Sequence, residues 1–274
     1  MSWFSRLLEA LFGRRPRPAP SPPPAPRPAP PPPPPGKPIG EGPKPAPQGP
    51  PPAPPPVSPP PAPPPAAPAP GSAFLAGLAR GDRTGLTRAD YSAVAARLGC
   101  EVEALMAVAE VESGRLGAFG PDGRPVILFE PHVFARFTNQ QFNESHSHLS
   151  SRRWNRALYP RGGQGPIYDQ LAQAYALDGE AALKATSWGR FQVLGQHFSW
   201  QGHPNAHAFV AALAQSEANQ LASFERFIAY NNLDDELRRL DWRGFAAGYN
   251  GPAYEQNRYH EKMAEAYARL KATS

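Results

Sequence analysis

The sequence predicts a mainly α-helical α+β domain with one small β-hairpin, preceded by a disordered proline-rich tail. Three observations carry this. Of the 39 prolines, 32 precede Gly71 and 7 follow it. After Gly71, apolar residues recur at helical spacing through most of the chain. One stretch, GAFGPDGRPVILFE (117–130), instead joins a turn signal to an apolar run, the mark of a hairpin.

Residues 1–15 open with Trp3, Phe4, Leu7, Leu8, Leu11 and Phe12 at the spacing of one helix face, with Arg6, Arg14 and Arg15 beside or after it. This predicts a short amphipathic helix. It is suited to an anionic membrane surface or a partner's groove, or else is a frayed start, since so short a helix is marginal alone. Residues 16–71 are too rich in proline to pack, because each proline lacks an N–H and has a fixed φ. They predict a polyproline II spacer at ~3.1 Å per residue. PxxP spacings within such a tract arise by chance.

The net charge of +5 belongs to the tail. Seven Lys/Arg precede Ser72 against Glu9 and Glu41, while the remainder holds 21 basic and 21 acidic residues. A domain neutral overall has no general field to draw nucleic acid, so no such partner is expected, although a local patch stays open. Cys100 is the only cysteine, which rules out an intrachain disulfide. No segment reaches the ~20 apolar residues of a membrane span. The start, interrupted by Arg6 and Glu9, does not read as a signal peptide, so secretory export is not expected.

Domain 72–274 then unfolds in order. Thr87 and Asp90 have capping-box spacing before TRADYSAVAARLG, which Gly99 ends. EVEALMAVAEVES (101–113) is a second helix, stopped by Gly114. The hairpin turns at Pro121-Asp122-Gly123 and leads into the strand Val126–Phe129. Residues 143–165 are polar, aromatic and glycine-rich and read as a long loop over a cleft. Helical spacing returns in YDQLAQAYALDGEAALKAT (168–186) and HAFVAALAQSEANQLASFERFIAYNN (207–232). A short helix before Asp241, the segment GFAAGYNGP and a final helix YEQNRYHEKMAEAYARL (254–270) complete the chain.

One carboxylate falls where an apolar residue belongs. Leu105, Val108 and Glu112 stand at i, i+3 and i+7, so Glu112 continues the inward stripe, whereas Glu103 and Glu110 share another face and suit solvent. A partly buried glutamate keeps its proton towards neutral pH and can give it to a leaving oxygen. The alternative is a helix-end glutamate paired with Arg115 or Arg124. A glycosidase wants a second carboxylate across the substrate; Glu130 is the first candidate, ahead of Asp122 and Glu144.

Ala109-Glu110-Val111-Glu112-Ser113-Gly114 resembles the helix end of goose-type lysozymes and soluble lytic transglycosylases, where a Glu-Ser pair carries the catalytic acid. Ser187-Trp188-Gly189-Arg190-Phe191-Gln192-Val193 resembles their glycine-rich turn, and Tyr249-Asn250-Gly251-Pro252 their sugar-groove Tyr-Asn element. The chain is more closely similar to the N-acetylmuramidase family of phage and prophage endolysins, over residues 123–134, 185–195, 216–228 and 241–254. The resemblance spans nearly the whole domain and none of the tail.

It implies a lysozyme-like fold and a bacteriolytic glycoside hydrolase that cuts the β-1,4 bond between N-acetylmuramic acid and N-acetylglucosamine in peptidoglycan. By position, Glu112 is the acid and Glu130 the second carboxylate, with Ser187, Gln192, Tyr249 and Asn250 lining the saccharide groove. Pro131 stands where arginine follows that glutamate in the family. No cofactor or metal is expected, since His146, His148, His197, His203 and His207 lack ligand spacing. The implied partners are peptidoglycan glycan strands and, without a signal peptide, a holin-like lysis protein that releases a cytoplasmic enzyme to the cell wall. A monomer is expected. The alternatives are a lytic transglycosylase that forms anhydromuramoyl products, and a non-catalytic wall-binding or scaffold protein.

Overall fold

The structure, a computed structural model, describes residues 70–113, 117–250 and 254–274. The expected helix 1–15, nearly all of the proline-rich stretch 16–71, Arg115 and the Gly251-Pro252 turn lie outside them.

Eleven α-helices and three short strands are described: α1 (Pro70–Gly77), α2 (Arg88–Leu98), α3 (Val102–Ser113), β1 (Ile127–Phe129), α4 (Pro131–Phe137), α5 (Gln164–Leu177), α6 (Gly179–Lys184), β2 (Thr186–Trp188), β3 (Val193–Leu194), α7 (Ala206–Gln215), α8 (Glu217–Tyr230), α9 (Asp234–Arg239), α10 (Trp242–Asn250) and α11 (Tyr259–Ala272). No helix among the described residues is long and apolar enough to cross a membrane.

Local chemistry explains most boundaries. Thr87 caps α2 with both halves of the capping box formed to Asp90, and Gly99 closes it in the left-handed region at φ 70°. Two stretches that read as continuous helix are each broken in two. Asp178 leaves helical geometry to accept from Ala181 N and start α6, and Ser216 does the same for Asn219 N and α8. α11 begins only at Tyr259, after a 3-10 turn at Tyr254–Asn257.

The sheet differs from the expectation. The hairpin over 117–126 forms around the bridge from Phe119 to Pro125, with Gly120 N donating to Arg124 O at 2.8 Å and Val126 N to Ala118 O at 3.0 Å, but it stays outside the sheet. β1 pairs instead with β2, antiparallel, Leu128 opposite Ser187, and β2 turns back into β3 with Ser187 opposite Leu194. The outer edge of β1 is closed by a side chain: Gln164 accepts from Ile127 N at 2.7 Å and donates to Ile127 O at 3.2 Å, standing in for a fourth strand.

α3 is enclosed almost all round. Ala104, Leu105, Ala107 and Val108 are fully buried, against α11 on one side and α2 on another. Each fully buried Leu or Val contributes ~1.5–3 kcal/mol, so this helix is a rigid support for what its last turn carries. Glu103 departs from the solvent position that its periodicity suggested. Only 6% exposed, it lies under the Arg88 guanidinium with Lys271 3.9 Å away. The Arg88 hydrogen bond is the largest cause holding its carboxyl at about 2. Glu110 is exposed as expected and pairs with Arg269.

Candidate active site

Glu112 sits in the last turn of α3 with 0% of its surface exposed, continuing the stripe of Leu105 and Val108, which are also 0% exposed. Arg124, one counter-ion the sequence offered, is engaged elsewhere: its Nε lies 2.7 Å from Asp122 Oδ2 and its guanidinium 3.7 Å from the Tyr168 ring centre. The neighbour that registers Glu112 electrically is Tyr249. Burial, and then the negative charge of Glu112, push that phenol well above its ordinary value.

Tyr249 stands near the end of α10, stacked on Phe245 and edge-on to Phe224 and Phe227. Its Oη donates to Phe191 O at 3.3 Å. That bond ties the neighbourhood of Glu112 to the four-residue turn Gly189–Gln192 between β2 and β3.

The turn is held from three sides. Gly189, at φ 70°, donates its N–H to Val126 O at 2.7 Å. Gln192, itself left-handed at φ 48°, donates Nε2 to Val126 O at 3.1 Å and to Gly189 O at 2.8 Å. Gln220 of α8 accepts from Arg190 N at 2.6 Å and donates to Leu213 O at 3.1 Å, while Arg190 pairs with Glu217. Gln192 Oε1 and Ser187 Oγ, both buried, have no hydrogen-bond partner among the described residues. Each is a buried polar atom with unused hydrogen-bonding capacity.

Glu130 follows β1 directly and precedes Pro131, the first residue of α4, where proline is favoured because that N–H would be unbonded anyway. Pro131 is thus a helix starter at the position where the resemblance leads one to expect arginine. The backbone N–H of Glu130 donates to Ala185 O at 2.9 Å, which continues the β1–β2 register. Glu130 thus shares a sheet face with Leu128 and Ser187. The carboxyl is 0% exposed. Tyr159 donates to its Oε2, His132 Nδ1 lies 3.2 Å from the same oxygen, and Oε1 has no partner among the described residues. Burial raises its pKa against the lowering effect of those two neighbours.

The structure therefore joins Glu112, Tyr249 and Gln192 in one neighbourhood and puts Ser187 on the face of Glu130. It separates the backbone of Glu130 from that of Val126, where Gln192 is bonded, by the three residues of β1, four steps or about 13 Å along the strand. Asn250 is the last residue of α10; its side chain lies outside the description. Sequence reasoning passed over Tyr159, His132, Gln220 and Gln164. Tyr159 lies 29 residues from Glu130 in a polar loop, and no local pattern links the two. Gln220, in contrast, falls on the inward side of an amphipathic helix, where a polar residue is a signal of its own.

Cys100 is half-buried, and burial pushes its thiol up to about 11, so it is an unreactive packing residue.

Comparison with known proteins gives the site its context. A search of curated proteins returns no significant match. Among solved structures, the chain is similar to one described as the crystal structure of Burkholderia AP3 phage endolysin. The two are 38% identical with a TM-score of 0.64, over 75% of this chain and 78% of that one. The family model described as N-acetylmuramidase matches residues 101–271, from just before α3 to the end of α11, and encloses every site residue named above. The chain belongs to the N-acetylmuramidase family.

Proposed function

We propose that this chain is a peptidoglycan hydrolase of the endolysin type that cleaves the β-1,4 bond between N-acetylmuramic acid and N-acetylglucosamine, with Glu112 as general acid. The observation that carries this reading is a fully buried glutamate that continues the apolar stripe of α3, within electrostatic reach of Tyr249. Burial disfavours the charged form, which suits a group that must hold a proton until the leaving oxygen takes it. Membership of the family and similarity to a phage endolysin support the same substrate.

In this mechanism the Glu112 proton passes to the glycosidic oxygen as the C–O bond breaks and positive charge grows on the muramoyl ring. Glu130 takes the proton of the attacking water or stabilises the cation. Ser187, Gln192, Tyr249 and Asn250 line the groove, and the unmatched Ser187 Oγ and Gln192 Oε1 are the atoms offered to the sugar. The enzyme reaches the wall after a holin-like partner opens the membrane, and acts as a monomer.

Glu112→Gln should lower clearing of purified peptidoglycan by at least ~10³-fold, with thermal stability unchanged or raised because a buried acid is gone. Equal clearing by both chains would end the assignment. One observation favours a second reading of the chemistry: Glu130 is engaged by Tyr159 and stands a strand's length from Gln192. A glycan cut beyond its reach would release anhydromuramoyl ends by attack of the muramoyl 6-hydroxyl. The fragments differ from hydrolytic ones by one water, which mass spectrometry reads directly.

A further inference from the structure

The loop between α4 and α5 holds a feature that the cleavage reaction leaves unused. It encloses an open pocket of about 460 Å³ whose walls include Asn143, Ser147, Ser150, Ser151, Arg152 and Asn155. No acidic side chain lines it. Residues 143–161 carry four arginines (Arg152, Arg153, Arg156, Arg161) against Glu144 alone, a local positive patch on a domain neutral overall. Arg152, Arg153 and Arg161 have no carboxylate partner among the described residues.

The walls are fixed. Gln170 of α5 donates to His148 O at 3.0 Å and to Leu158 O at 2.8 Å, bracing the loop at two points. Ser150 Oγ donates to Asn143 Oδ1 at 2.6 Å, leaving Asn143 Nδ2 buried with no acceptor among the described residues. The loop around the pocket is tied to the Glu130 segment. Ser151 N donates to Pro131 O at 3.3 Å, and Tyr159, next to the pocket residue Leu158, donates to the Glu130 carboxylate.

We propose that this pocket is a second substrate site, which binds a carboxylate of the peptide stem carried by the muramoyl sugar. This rests on the peptidoglycan reading above. An unpaired guanidinium, an unmatched amide donor and several hydroxyls with no acid among them are the groups that recognise an oxygen-rich anion. The loop that holds them is tied to Pro131 through Ser151 and to Glu130 through Tyr159, on the flank of the second carboxylate of the proposed reaction. The pocket thereby selects cross-linked or peptide-bearing glycan over bare glycan.

The test compares the full-length wild type with Arg152→Ala and Arg152→Lys on intact peptidoglycan and on the same glycan stripped of stems by an amidase. Alongside it, the tripeptide L-Ala-γ-D-Glu-diaminopimelate is titrated into each protein. The expected result is a KM raised roughly tenfold on intact material for Arg152→Ala, with kcat unchanged, partial recovery in Arg152→Lys, and no effect on stripped glycan. Tripeptide binding should saturate in the wild type and weaken roughly tenfold in Arg152→Ala. Equal KM values for wild type and Arg152→Ala on intact glycan, or no tripeptide binding by wild type, would overturn the proposal. If the tripeptide binds as expected but neither glycan is cleaved, the hydrolase reading fails and the pocket stands.

Discussion

The turn that carries Gln192 depends on a residue with no side chain. At Gly189 an added Cβ would lie 2.4 Å from Gln220 Cδ, and φ is 70°. Gln220 cannot swing aside freely, since it is 2% exposed and bonded to both Arg190 N and Leu213 O. Gly189→Ala therefore combines left-handed strain of ~1–2 kcal/mol with an overpacking cost of similar size, a loss of about 3 kcal/mol in chemical denaturation. Adding Gln220→Ala should relieve the clash but not the strain. A loss under ~1 kcal/mol in the single variant would show that the turn yields. The same reasoning separates Glu112 from Glu110, two residues apart on one helix. One sits on the apolar stripe and loses all contact with water, while the other faces solvent and pairs with Arg269.

At the scale of elements, the short 3-10 turn Gly195–His197, which follows β3, holds a pH-sensitive contact. Burial, with help from Arg136, pushes His197 down to about 4 from its ordinary 6.5. Trp200 Nε1 donates to its Nδ1 at 3.1 Å, a bond that only the neutral ring accepts. The unfolded chain thus takes up this proton first. The stabilisation is full above pH ~6.5 and is lost as pH falls towards 4, by about 2 kcal/mol allowing for the ring's partial exposure. His197→Gln should flatten the fall of Tm across that window; an unchanged profile would place the sensitivity elsewhere. Elements set by neighbours in sequence were legible beforehand: the Thr87–Asp90 box, the Gly99 stop and the inward stripe to Glu112. β2 was not, because three residues have no measurable period and their partner Ile127 lies 61 positions before Trp188. The breaks at Asp178 and Ser216 were hidden for a related reason, since a cap residue inside an apolar periodic run does not interrupt the period. Glu103 was misplaced because periodicity cannot see Arg88 closing over it from another helix.

At the scale of the whole molecule, charge is spread unevenly along the chain. All the excess positive charge lies before residue 45, while Leu75 and Leu78 of the first described elements are already buried and Phe74 stacks against Tyr175. Removing residues 1–69 should therefore leave the core intact, with Tm within a degree or two of the full chain, and take the net charge from +5 to zero. If the tail brings the enzyme to anionic surfaces, the full chain should bind vesicles of anionic lipid at low salt. That binding should weaken as the Debye length drops from ~30 Å at 0.01 M to ~10 Å at 0.1 M, and the truncated chain should bind little at either salt. Co-sedimentation at the two ionic strengths reads both effects. Salt-sensitive binding that survives truncation would move the attraction to the domain, where the arginines of the 143–161 loop are a concentrated source, and Arg152→Ala in the truncated chain would then reduce it.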